Sequence, residues 1–198
     1  MSTIKLYDFP MSGNCYKIRL LLSMMKVNYK SIQVDLGGGA NQTNDFLTMN
    51  PRGQVPAIVD GKTTVWDSMA ILAYLAREHG DEKWFPQDNE TMTKVMQWLA
   101  VSENELLYGL ARSRAALIFK RPFDLKQCQE EAQMGLEVMN KHLSDKTWLA
   151  SDHATIADIA CYPYISLASE GEVSLDRFKN VLRWMKDFEA LPGWVSIT

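Results

Sequence analysis

The apolar residues of this chain change period partway along it, and that change restricts the fold more than any other feature. Over the first eighty residues two periods alternate. Ile4, Leu6 and Phe9 keep the two-residue repeat of a strand, whereas Cys15, Ile18, Arg19, Leu22 and Met25 keep a helical one. Tyr29 to Val34 reads as a second strand, Asp45 to Met49 as a short helix, and Ala57 to Val59 and Thr63 to Val65 as two more strands. Asp60-Gly61 between the last two predicts a type I′ hairpin, in which both central residues need positive φ, so those strands are expected to be antiparallel. Asp67 or Ser68 then caps a helix carrying Ile71, Leu72 and Leu75, expected to stop at His79 with Gly80 as its C-terminal glycine.

After Gly80 the strand period disappears. A charged stretch with Trp84, Phe85 and Pro86 reads as a linker. Helical stripes follow at Met92, Val95, Met96 and Leu99, at Leu125, Cys128, Ala132, Leu136, Met139 and Leu143, and at Phe178, Val181, Leu182, Met185 and Phe188. Pro122 separates two of these helices, and Thr155 to Asp158 forms a capping box opening another. Leu191-Pro192-Gly193 ends the last. The chain therefore divides into an α/β domain over residues 1–80 and an all-helical domain over residues 91–198.

Composition narrows the class of function. The 198 residues are 46% hydrophobic and 23% charged, in the range of folded globular chains. Lys and Arg number 21 against 24 Asp and Glu, for a net charge of -3. The charge is spread evenly, without a basic stripe, so a nucleic-acid partner is not expected. The cysteines Cys15, Cys128 and Cys161 are too scattered for a disulfide framework or a CxxC zinc site, and His79, His142 and His153 lack ligand spacing, so no metal is expected. With no basic-then-apolar leader and no apolar run of about 18 to 20 residues, a cytoplasmic protein without a membrane association is expected.

Three segments could carry chemistry. Ser12-Gly13-Asn14-Cys15 joins the first strand to the first helix, where free backbone N–H groups and the helix dipole favour a thiolate, carboxylate or phosphate. By itself, Ser12 or Asn14 could equally be a simple helix cap. Asn50 to Pro56 enters the third strand. Pro56 cannot donate to a ladder, and a cis bond before it would turn the Val55 backbone outward to pair with an extended peptide. Asp67-Ser68 offers a carboxylate and a hydroxyl at a second helix start. Cys15 is expected to be a buried core residue, since Ser12-x-x-Cys15 lacks the attacking first cysteine of a dithiol oxidoreductase. Most of the eleven methionines are read as packing, with Met11 able to face an apolar substrate.

Together these segments resemble the glutathione transferase superfamily over nearly the whole chain. The resemblance rests on strand, serine and helix in Tyr7 to Leu22, the Val55-Pro56 turn, the Asp67-Ser68 pair, the capping box and the segment Arg183 to Trp194. It implies a thioredoxin-like α/β N-terminal domain and an all-α C-terminal domain, with glutathione as co-substrate, a small electrophile in a pocket at the domain interface, and a homodimer. By the same resemblance, Gln54 and Val55 contact the tripeptide, Pro56 is cis, and Asp67 and Ser68 bind the γ-glutamyl end. Asn41 or Gln42 approaches the glycyl carboxylate. Ser12 matches the activating serine of theta-like members, while Ser-Gly-Asn also looks like the Thr-Pro-Asn of nu-type proteins, which leaves both Ser12 and Asn14 as thiol-contacting candidates. Tyr7 lies too early for the tyrosine-type members and is expected to pack or assist. Tyr108, Arg112 and Ala115 could face the electrophile, or serve a dimer contact or solvent.

The energetics are consistent with this role for Ser12. A thiol with an ordinary pKa near 8.5 is only about 3% ionised at neutral pH, and bringing it to about 6.5 takes about 2.7 kcal/mol of selective thiolate stabilisation. A charge-assisted hydrogen bond gives roughly 1.5 to 3 kcal/mol and a helix N-terminus up to about 1 more. The expected function is a glutathione transferase acting in detoxification. Glutathione-dependent disulfide or peroxide reduction, or a non-catalytic binding or regulatory role on the same fold, are the alternatives.

Overall fold

The computed structural model describes residues 3–197. Its contacts separate two units: residues 3–81 with 192–197, and residues 82–191.

The first unit is built on a four-stranded sheet in the order β2-β1-β3-β4. β1 is Ile4–Asp8, β2 Tyr29–Gln33, β3 Ala57–Asp60 and β4 Thr63–Trp66, with α1 (Gly13–Met24) crossing over between β1 and β2. β1 is parallel to β2 and antiparallel to β3, and β3 is antiparallel to β4. Ile4, Leu6 and Asp8 are buried on one side of β1, alternating with Lys5 and Tyr7 on the other. The core side is covered by α1, through Cys15, Ile18, Leu21 and Leu22, and by α3 (Ser68–Glu78), through Ile71, Leu72 and Leu75. The other side meets the short helix α2 (Asn44–Met49), where Tyr7 lies edge-on to Phe46 at 6.2 Å between ring centres.

Two turn expectations are corrected. Asp60 pairs with Thr63, so the hairpin's central residues are Gly61 and Lys62 rather than Asp60 and Gly61. Only Gly61 (φ 59°) is left-handed, the pattern of a type II′ turn. The α3 terminus also lacks a left-handed glycine. His79 is its C-cap, and its ring Nε2 lies 2.6 Å from Asp60 Oδ2, so a side-chain contact to the hairpin ends the helix in place of the glycine.

The second unit is helical. α4 (Asn89–Val101) continues into a ten-residue π-helical segment, Ser102–Ala111, and then α5 (Arg112–Ile118). α6 (Leu125–His142), α7 (Ile156–Ser166) and α8 (Lys179–Glu189) follow. α7 is the core, with every residue from Ile156 to Ile165 buried. Its capping box is present, and Asp158 does more than cap. Oδ2 accepts from Thr155 N at 2.9 Å, and Oδ1 accepts from Leu149 N at 3.1 Å and Trp184 Nε1 at 2.8 Å. That carboxylate binds α8 and the 149 loop to the start of α7. The apolar stripes differ from the sequence reading at two places: Trp98 rather than Met96 is buried on α4, and Trp184 rather than Leu182 on α8. Amphipathic spacing alone does not separate a large aromatic from an adjacent aliphatic.

Candidate active site

Sheet register brings the three sequence segments to one end of the first unit. Tyr7 is paired with Ala57, and Ala57 with Trp66. The exit of β1, the entry of β3 and the exit of β4 therefore lie side by side. Ser12 follows the first, Val55-Pro56 precedes the second, and Asp67-Ser68 follows the third.

Ser12 is the N-cap of α1: its Oγ accepts from Cys15 N at 3.2 Å, and its own amide donates to Phe9 O at 2.9 Å. Its hydroxyl hydrogen remains able to donate. No acidic residue occupies the first turn of α1, so the positive helix end has no charge of its own chain there to offset it. Cys15 is fully buried, and burial pushes its thiol up to about 12, against smaller opposing effects of the Ser12 hydrogen bond and Arg19. At neutral pH only about one such thiol in 10⁵ is ionised.

The Val55–Pro56 peptide is cis. The loop before it is closely braced. Asn50 is buried and gives Nδ2 to Gln54 O at 2.6 Å, while its Oδ1 accepts from Arg52 N at 3.0 Å. Gly53 has φ 59°, and a Cβ there would stand 2.6 Å from Gln42 Nε2. Asn41 Nδ2 donates to Gly53 O at 2.6 Å and Gln42 Nε2 reaches the same oxygen at 3.4 Å. Both amides thus support the loop. Each amide nitrogen carries a second N–H beyond the one given to Gly53 O.

Asp67 is the N-cap of α3 at φ 75°, a conformation uncommon for a residue with a side chain. Its Oδ1 accepts from Met69 N at 3.0 Å and its Oδ2 from Arg52 Nη1 at 2.7 Å. Arg52 stands in the segment singled out from the sequence, but its role was missed there, because only tertiary proximity reveals a partner fifteen residues away. Next to Asp67, Ser68 is buried. Its Oγ, together with Asn14 Oδ1, Asn41 Oδ1 and Trp194 Nε1, is a buried polar atom without a hydrogen-bond partner among the described residues. Such atoms are costly unless something pairs with them.

Other expected residues lie elsewhere. Tyr7 borders a cavity of about 690 Å³ with Phe46 and Trp66, a cavity whose walls include none of Ser12, Asn14 or Ser68. There it packs edge-on to Phe46. Met11 is exposed on the loop leading to Ser12. In the second unit, the Arg112 guanidinium stacks on the rings of Tyr108 at 3.9 Å and Phe123 at 5.2 Å. Tyr108 is exposed and Arg112 and Ala115 half-buried.

A sheet flanked in this way, with a cis-proline entry and two helix starts at one end, defines a thioredoxin-like domain, here followed by an all-helical one. The sequence matches the family of the glutathione S-transferase N-terminal domain over residues 2–77 and of the C-terminal domain over residues 111–192. The chain belongs to the glutathione transferase superfamily. It is 30% identical to the disulfide-bond oxidoreductase YfcG of Escherichia coli, over 96% of this chain and 92% of the relative. A glutathione S-transferase structure from Pseudomonas fluorescens superposes with a TM-score of 0.93 at 32% identity, covering 99% of both chains. A glutathione transferase homologue from Drosophila mojavensis, solved with bound glutathione, shares the fold at a TM-score of 0.88 and 24% identity, over 97% of this chain and 90% of its own.

Proposed function

We propose that the protein is a glutathione-dependent transferase in which Ser12 donates its hydroxyl hydrogen to the sulfur of bound glutathione and holds it as a thiolate. The observation that carries this reading is the Ser68 hydroxyl, buried and unpartnered at the same sheet end as the Ser12 helix start. Ser68, the Asp67 carboxylate and the amides opening α3 suit the ammonium and carboxylate of a γ-glutamyl group, and the Val55 backbone suits an extended peptide. Gln54 stands beside it on the same loop. Asn41 and Gln42 hold that loop, and the second N–H of either amide suits the glycyl carboxylate. Glutathione supplies the nucleophilic sulfur that Cys15 cannot, and Met11 faces the electrophile from the Ser12 loop. We place the activity in the cytoplasm, as a homodimer.

Glutathione-dependent disulfide reduction is the second reading, favoured by the buried amide oxygen of Asn14, which has no hydrogen-bond partner among the described residues, and by the likeness to a disulfide-bond oxidoreductase. Conjugation of a chloronitrobenzene and reduction of hydroxyethyl disulfide, both with glutathione, separate the two in wild type, Ser12→Ala and Asn14→Ala. A transferase loses conjugation with Ser12→Ala, more at neutral pH than at about pH 9, where the free thiol ionises unaided. A reductase loses disulfide turnover chiefly with Asn14→Ala. Calorimetry showing no glutathione binding at millimolar concentration rejects both.

A further inference from the structure

One strongly charged cluster beside the site is left over by this account. Arg19 lies on α1 two turns beyond Ser12, yet its guanidinium reaches back to the end of β1. Nη1 donates to Asp8 Oδ1 at 2.6 Å, and Nη2 to the carbonyls of Pro10 at 2.9 Å and Ile197 at 3.3 Å. Asp8 is itself buried, and its Oδ2 accepts from the Ser31 hydroxyl at 3.2 Å. The planar fork of arginine can serve a carboxylate and a carbonyl at once with fixed directions, which a lysine cannot. The gripped carbonyl belongs to Pro10, two residues before Ser12, and Ser12 N closes the turn on Phe9 O. One helical turn earlier, Tyr16 donates its hydroxyl to Val195 O at 2.7 Å, so the returning segment 195–197 lies against both side chains.

We propose that Arg19 is the positioning residue for the Ser12 turn. Buttressed by Asp8 and covered by the 195–197 segment, it fixes the Pro10 carbonyl and hence the direction of the Ser12 hydroxyl. This deepens the thiolate reading above and rests on it. Hydrogen bonds weaken steeply with misalignment, and productive sites are held within about 0.5 Å, so a loosened turn loses thiolate stabilisation before it loses ligand binding. The charges of Asp8 and Arg19 act in opposite senses on Cys15 on α1 and on Tyr29 on β2, and the Tyr16 ring lies 5.7 Å from the guanidinium. As a pair they offset each other, which leaves geometry as the effect of Arg19.

The test compares Arg19→Lys, Arg19→Gln and a chain ending after Trp194 with wild type. The readouts are ultraviolet absorbance of bound glutathione thiolate against pH, kcat and KM, and hydrogen exchange over residues 9–15. Both substitutions are expected to keep the glutathione KM within about twofold and to move the ionisation of the bound thiol about one pH unit higher. kcat then falls about fivefold at about pH 6.5 and recovers by about pH 9, and exchange over residues 9–15 quickens. The shortened chain shifts in the same direction by less. Restoration of the profile by Arg19→Lys overturns the proposal, since lysine keeps the charge and loses the fork. So does an equal loss of kcat at every pH, or unaltered exchange. Should Arg19→Gln not fold, the lysine variant and the shortened chain decide. If wild type binds no glutathione thiolate, the reading under Proposed function fails, and exchange then decides the positioning alone.

Discussion

Arg52 Nη1 and Asp67 Oδ2 lie 2.7 Å apart, and through them the loop before the cis peptide is tied to the opening of α3. The same Asp67 carboxylate caps the helix with its other oxygen. One side chain therefore orients two of the three segments that form the site.

Replacing Arg52 with methionine tests that tie. The arginine side chain is half exposed, with 50% of its surface accessible, so the ion pair is screened and its loss lowers stability by about 1 kcal/mol or less. Asp67 then keeps only its cap to Met69 N, and the glutathione KM rises about three- to tenfold. Thermal melting and steady-state kinetics, run together, show a large effect in the second and a small one in the first.

Ser68→Ala separates folding from binding more sharply. The hydroxyl it removes has no hydrogen-bond partner among the described residues, so stability stays level or rises by up to about 1 kcal/mol. Glutathione affinity falls about tenfold, the equivalent of one hydrogen bond to a charged group. A clear drop in melting temperature would show that the hydroxyl serves the fold instead.

Cys15 is predicted to be chemically silent. All three cysteines are buried and outside any disulfide, so a thiol-exchange reagent added to native protein at neutral pH reacts only as fast as the chain opens. Cys15→Ala retains glutathione-dependent turnover and loses about 1 kcal/mol of stability through the vacated volume. Loss of turnover without loss of stability would return Cys15 to the chemistry.

Asp158 gives a pH signature. Burial raises its carboxyl to about 6 in the folded protein, against hydrogen bonds from Thr155, Trp184 and Leu149 that pull the other way. The unfolded chain releases that proton near the ordinary value of 3.8. Between those values the folded state holds a proton the unfolded state has lost, so this contribution is full below about pH 4 and fades as pH rises through 6. Its span is about 3 kcal/mol. Urea unfolding of wild type and Asp158→Asn should show the difference between them shrinking across that interval, and a difference that grows with pH would refute the assignment.

The sequence was most legible where structure is local. Ser12 as a cap, Asp67 before α3, the Thr155 to Asp158 box and the antiparallel hairpin all follow from residues within four positions of one another. Pro56 was legible because proline restricts its own backbone. What sequence reading missed depends on distance or on pitch. Arg52 with Asp67 and Arg19 with Asp8 are partners across β-strand and helix boundaries that no short window spans. The π segment Ser102–Ala111 escaped because its wider turn differs from an α-helix by less than one residue per turn, too little to register over ten residues. Asn41 and Gln42 were placed near the right loop, but their amides turned out to hold the Gly53 carbonyl.

The bonds from Tyr16 to Val195 and from Arg19 to Ile197 each span nearly 180 positions. A nascent chain can thus assemble its sheet and helices early, yet the Pro10 turn lacks its last brace until residues 195–197 leave the ribosome. Bracing of the Pro10 turn in this protein therefore waits on those three residues, whichever unit condenses first.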